Sequence, residues 1–151
     1  MAKYPYFPAF VDLSGSRALV VGGGRIAARR VGTLVQFCPN VTVVAPDIHP
    51  DIAALDVAIE ERAYRDGDLE GADLVLACTD DADLNAAIAA RCRERGIPVN
   101  VASDRKLCDF LFPGVARRDS LVVGVTAGGE DHALAKRVTG EIREYLQRGQ
   151  D

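Results

Sequence analysis

An α/β fold built on a Rossmann-like parallel sheet follows from three observations in this 151-residue sequence. Short β-branched apolar runs alternate with helical patterns as far as residue 102. The runs are apolar at nearly every position, as strands covered on both faces require. The stretch VVGGGRIAARR (20–30) sets three glycines between the first run and the first helix, where a dinucleotide-binding sheet places its phosphate turn. After residue 109 the alternation gives way to two strand-like runs and one long helix.

RALVV (17–21) reads as the first buried strand, RIAARRVGTLVQF (25–37) as a helix and VTVVA (41–45) as the second strand, together one βαβ unit. DIAAL opens a short helix, VAIEE (57–61) is the third strand and ADLVLACT (72–79) the fourth. DADLNAAIAARCRERG (81–96) is a helix ending at Gly96, with Asp80 or Asp81 placed to cap its start, and PVNVA (98–102) is the fifth strand. FLFPGVARRDSLVVGVTAGG then holds two strand-like runs about a polar turn, and DHALAKRVTGEIREYLQR (131–148) is the last helix, capped by Asp131. A strand pair with one helix makes a poor independent core, so this part is expected to close the sheet's edge or to meet a second subunit. The reading is a nucleotide-binding domain over 1–112 and a strand-strand-helix dimerisation segment over 113–151.

A net charge of -4 and a pI near 5.2 argue against a nucleic-acid surface. Arginine outnumbers lysine 15 to 3, and arginine forks onto carboxylates and phosphates better than lysine. No apolar run approaches the ~20 residues of a membrane span, and the start MAKYPYFPAFVDLSGSR lacks the build of a signal peptide, so a cytoplasmic protein is expected. Cys38, Cys78, Cys92 and Cys108 show no C-x-x-C spacing, and His49 and His132 are the only histidines. Neither a disulfide framework nor a resident metal site is expected.

Gly22, Gly24 and Ala27 fit G-x-G-x-x-G/A in the right context, strand before and helix after. The first glycine permits the tight turn, the second lets backbone approach a pyrophosphate, and Ala27 lets helix and strand pack closely. The helix start supplies free N–H groups and partial positive charge for phosphates. Asp47, 25 residues after Gly22, is placed to accept the ribose hydroxyls and to favour NAD over NADP, or to stand as a solvated loop carboxylate. CTDD (78–81) ends the fourth strand on the same edge of the sheet, and NVASDRKLCDFLFPG (100–114) follows the fifth. A loop there lies where a hydride donor or acceptor would meet the nicotinamide.

The stretches FPAFVDLSGSRALVVGGGRIAARR, VTVVAP, LVLACTDD, VNVASDRKLCDFLFP and VVGVTAGG followed by ALAKR occur in the order found in one family. Across nearly its whole length the chain resembles the precorrin-2 dehydrogenase and sirohydrochlorin ferrochelatase family, which includes the N-terminal part of sirohaem synthases. The resemblance implies NAD-dependent oxidation of precorrin-2 to sirohydrochlorin; some members also insert ferrous iron. It implies cofactor contacts from Gly22, Gly23, Gly24, Arg25, Ile26, Pro46 and Asp47, to which the place of CTDD at the sheet edge adds Thr79. It also implies a homodimer formed through the region after the nucleotide domain. Family members usually continue into a further helical portion, so the dimerisation segment is expected to be incomplete relative to them.

The chain departs from the family at two places. Where relatives carry an aspartate third after the asparagine, this sequence has Ser103, followed at once by Asp104. Ser103 and Asp104 are the candidate catalytic residues, a carboxylate being the better proton acceptor and a serine a poor base unless another group activates it. Asp104 reads equally as a turn residue bonded to local backbone. In TAGGEDHALAKR, Glu130, Asp131 and His132 replace a polar, proline-containing stretch. A substrate rich in carboxylates calls for cations, and Arg105, Lys106, Arg117 and Arg118 are the candidates, each also readable as solvated surface charge. The rival to a dehydrogenase is a non-catalytic NAD- or tetrapyrrole-binding module that has lost the family's aspartate.

Overall fold

The computed structural model describes residues 5–149, which fall into two compact units, Val11–Phe110 and a second unit of Leu111 onward with residues 5–10. Residues 5–10 group with the unit that starts at Leu111. These residues precede the first strand and carry no element of their own, and Tyr6 places its ring 3.8 Å from where a Cβ on Gly128 would stand.

In Val11–Phe110, β1 (Arg17–Val21), β2 (Asn40–Val44), β3 (Ala58–Glu60), β4 (Leu74–Ala77) and β5 (Val99–Val101) form one sheet in the order β3-β2-β1-β4-β5. Every pairing is parallel, as the both-face apolar runs require. The helices are α1 (Arg25–Leu34), the short α2 (Pro50–Ala53) and α3 (Ala82–Glu94), with single 3-10 turns at Asp66–Leu69 and Arg105–Leu107. The chain order reverses direction between β1 and β4, so the loops leaving these two strands open a crevice at the carboxyl edge.

The core packs Leu19, Val21, Val75 and Val99 of the sheet against Ile88, Ala89 and Cys92 of α3. Each fully buried Leu, Ile or Val contributes about 1.5–3 kcal/mol relative to exposure. Two elements are shorter than the sequence reading made them, and one open alternative is resolved. α1 stops at Leu34, where Phe37 and Cys38 both donate to the Leu34 carbonyl, because Cys38 precedes Pro39 and a residue before proline is pushed out of helical backbone. β3 is three residues long and exposed throughout, an edge strand with one neighbour. Asp81 rather than Asp80 caps α3, accepting from the Asp83 and Leu84 amides.

In the second unit β6 (Gly114–Arg118) and β7 (Leu121–Val125) make an antiparallel hairpin, turned through Asp119 at φ 53°. The helix α4 (His132–Arg148) lies on β6. Arg143 donates twice to the Val115 carbonyl, at 2.9 and 2.7 Å, and buried Thr139 fills the space that a side chain on Gly114 would need. Asp131 caps α4 through the Leu134 amide, and Arg118 closes its far end on the carbonyls of Leu146 and Gly149.

Candidate active site

The glycine turn joins β1 to α1 and is wedged on both sides by neighbouring main chain. Gly22, at φ 121°, would bring a Cβ within 2.5 Å of the Cys78 carbonyl at the end of β4, and a Cβ on Gly23 would collide with the Asp47 carbonyl. His49 donates its amide to the Gly23 carbonyl at 2.7 Å, which ties the loop after β2 to the turn. Only glycine fits at these two positions, one for conformation as well as space, the other for space alone.

Gly24 is different: it caps α1 with ordinary backbone (φ −85°), and nothing lies within 4 Å of where its Cβ would stand. No side chain caps α1 and no acid occupies its first turn. The helix therefore presents open main-chain donors and its positive dipole end to the crevice, with exposed Arg25 and Ile26 beside them. This cradle fits a dinucleotide's pyrophosphate. Pro46 and Asp47 lie exposed in the adjoining loop, so a carboxylate flanks the cradle where a ribose acceptor is needed.

The loops after β4 and β5 meet through a residue the sequence reading did not single out. Asn85, in the first turns of α3 and 1% exposed, accepts from the Thr79 amide at 3.2 Å and from the Thr79 hydroxyl at 2.6 Å. It donates to the Thr79 carbonyl at 3.0 Å and to Ser103 Oγ at 3.2 Å. A signal was present: residues 85, 88, 89 and 92 share the buried face of α3, so Asn85 is the polar residue in an apolar stripe.

Arg30 was also passed over. It reaches from α1 to Asn100 Oδ1, and Asn100 donates in turn to the Phe110 carbonyl at 2.8 Å. Its guanidinium also faces Cys78, whose thiol burial pushes up to about 11 against the opposing pull of Arg30. That thiol is protonated at neutral pH and is no nucleophile.

Asp104 accepts the Lys106 amide at 2.9 Å as the cap of a 3-10 turn, and its other oxygen takes no hydrogen bond among the described residues. Ser103, Asp104, Arg105 and Lys106 are all exposed at the β5 end of the crevice edge. Arg117 and Arg118 belong to the other unit. Arg117 is exposed, whereas Arg118 is engaged with the end of α4. Among the described residues no three His, Cys, Asp or Glu side chains converge as a metal site, and no helix is long and apolar enough to cross a membrane.

The family described as putative NAD(P)-binding matches residues 9–114. The siroheme synthase of Pseudomonas entomophila (strain L48) is 40% identical over 147 residues, covering 93% of this chain and 31% of that protein. The siroheme synthase of Thioalkalivibrio sulfidiphilus is 40% identical over 145 residues, covering 93% of this chain and 30% of its own length. A solved structure of the precorrin-2 dehydrogenase SirC superposes with a TM-score of 0.71 at 25% identity, over 96% of this chain and 76% of that one. The chain thus spans about a third of the length of the siroheme synthases it matches.

Proposed function

The chain belongs to the putative NAD(P)-binding family, as the NAD-binding domain shared by siroheme synthases and precorrin-2 dehydrogenase, and from that premise we propose that it oxidises precorrin-2 to sirohydrochlorin with NAD+ in the cytoplasm. The observation that carries this reading is the glycine turn: two glycines locked against main chain, and a third left open at an uncapped helix start, at the reversal point of a parallel sheet.

In this reading Gly22 and Gly23 set the turn, while Gly24, Arg25 and Ile26 hold the pyrophosphate. Asp47 takes the ribose hydroxyls and repels a 2′-phosphate, so NAD is preferred to NADP. Bound NAD+ supplies the two-electron acceptor. Dehydrogenation releases a hydride and a proton from the macrocycle, and the chain's own task is to orient the macrocycle and accept that proton. Asp104 is the proton acceptor of this reading, through the carboxylate oxygen that does not cap the 3-10 turn. Arg105 and Lys106, exposed beside Asp104, are the cations of this unit for the substrate carboxylates.

Anaerobic turnover of precorrin-2 with NAD+ present or omitted, following sirohydrochlorin and NADH in parallel, tests the proposal. Stoichiometric formation of both is expected; a folded, NAD-binding sample with no turnover would convert the chain to a binding module. Homodimerisation through the hairpin and α4, and insertion of ferrous iron, are separate parts of the same proposal. Sedimentation of the purified chain checks the first, and NAD-independent metallation of sirohydrochlorin checks the second.

A further inference from the structure

The geometry points to Asn85 as a positioning residue that fixes Ser103 as a hydrogen-bond donor to an acceptor oxygen of a bound ligand, and so removes Ser103 from the role of proton acceptor. This rests on the dehydrogenase reading only for the identity of the ligand; the proton positions follow from the described contacts.

The orientation of the Asn85 amide is settled by main chain. Its Oδ1 faces the Thr79 N–H and its Nδ2 faces the Thr79 carbonyl, and turning the amide over would set donor against donor and acceptor against acceptor. One Nδ2 proton goes to the Thr79 carbonyl, and the other goes to Ser103 Oγ. Ser103 must accept there, so its own proton points elsewhere, and among the described residues it meets no acceptor.

Thr79 is held in the opposite sense. Its hydroxyl has two acceptors in reach, Asn85 Oδ1 at 2.6 Å and the Asp81 carbonyl at 3.1 Å, and the shorter contact takes the single proton, while its Oγ1 accepts the Asp81 amide at 3.2 Å. One buried amide therefore sorts two hydroxyls on neighbouring loops, turning the Thr79 proton inward and the Ser103 proton outward. A serine becomes a base only when another group takes its proton. Here the neighbouring amide gives a proton to Ser103 instead. At this position the chain presents a neutral donor, and its complement is an acceptor oxygen. Two ligand groups offer one: the carboxamide of the nicotinamide and a carboxylate of the tetrapyrrole.

The variants S103A, S103T, N85A and N85A/S103A test this by calorimetric Kd for NAD+, absorbance-monitored Kd for sirohydrochlorin, and kcat and KM across pH. S103A is expected to weaken one ligand about 10-fold, the scale of one lost hydrogen bond to a ligand, and to leave the pH profile of kcat unmoved. The ligand affected identifies the source of the oxygen. S103T restores the affinity, N85A reproduces the S103A shift, and the double variant adds nothing further on binding. Unchanged affinities in S103A, or a kcat loss that removes the limb of the pH profile belonging to a base, would overturn the assignment. If N85A does not fold, the side-chain amide resonances of Asn85 read the contact in its place. A shift between wild type and S103A is expected in the Nδ2 protons, and identical resonances would refute the positioning role. A wild-type chain that turns nothing over would sink the dehydrogenase reading while leaving both binding constants readable.

Discussion

At the β1 end of the crevice the ligand-facing surface is main chain, and at the β4 and β5 ends it is side chain. Gly22 and Gly23 are pressed against the carbonyls of Cys78 and Asp47, and Gly24 leaves bare amides at the start of α1. Across the crevice edge, Thr79 and Ser103 owe their orientation to four hydrogen bonds made by one buried amide, two accepted and two donated. A main-chain surface suits a pyrophosphate, which any cluster of N–H groups can hold; a side-chain surface is where one family member can differ from another in chemistry. The first therefore reports the cofactor class, and the second reports what this particular chain does with it.

The largest effect should come from breaking the main-chain half. Gly23→Ala drives a Cβ into the Asp47 carbonyl, and overpacking of this kind costs about 1–3 kcal/mol. NAD binding should fall about 100-fold or more as the turn deforms, because 2.7 kcal/mol is two decades of affinity; calorimetry and thermal melting measure both losses. Asn85→Ala breaks the side-chain half, leaving the part-buried Thr79 amide without its partner at a cost of about 1 kcal/mol or more. Denaturant melts should show that cost with NAD affinity far less affected than in Gly23→Ala.

Gly24→Ala sharpens the contrast. Its backbone suits alanine and nothing lies near the added methyl, so the melting temperature should hold while NAD binding weakens about 10-fold through lost close approach to the pyrophosphate. Asp47→Asn should leave stability alone and raise the ratio of NADP to NAD affinity several-fold, measured by competition. Smallest is a control outside both halves. Asp68 is held below the ordinary carboxylate range mainly by its hydrogen bond from Arg62, against the opposing effect of burial. Its folded-state pKa is depressed, so its contribution is present above the unfolded-state value and lost as pH falls through the folded one. Asp68→Asn should reduce stability near neutrality and flatten the acid limb of a pH-stability curve, with no change in NAD affinity.

The same contrast explains what could be read in the sequence. The five strands and the helices between them were legible because β-branched runs and helical periodicity are local signals, and the glycine turn because its spacing sits inside one βαβ unit. The end of α1 was misplaced by three residues despite Pro39, since the apolar run to Phe37 continues past the last helical turn. Asn85 was hidden because its partners stand 6 residues before it and 18 after it, a separation that only the parallel sheet closes. Arg30 and Asn100, 70 residues apart, were hidden for the same reason. Asp104 remained ambiguous because a turn cap and a proton acceptor use the same side chain, and the fold places it as a cap with one oxygen to spare.

Cys78 and Cys92 carry a further consequence. Both thiols are buried and pushed by that burial to about 11, one at the end of β4 under the glycine turn and one on the inner face of α3. In the closed molecule they are sealed from alkylating reagents and oxidants alike, so each reacts only when its own strand or helix opens. The chain thereby contains two internal clocks. If Cys78 labels faster than Cys92 without NAD and equally slowly with it, the crevice breathes independently of the core, and the cofactor is what stills it.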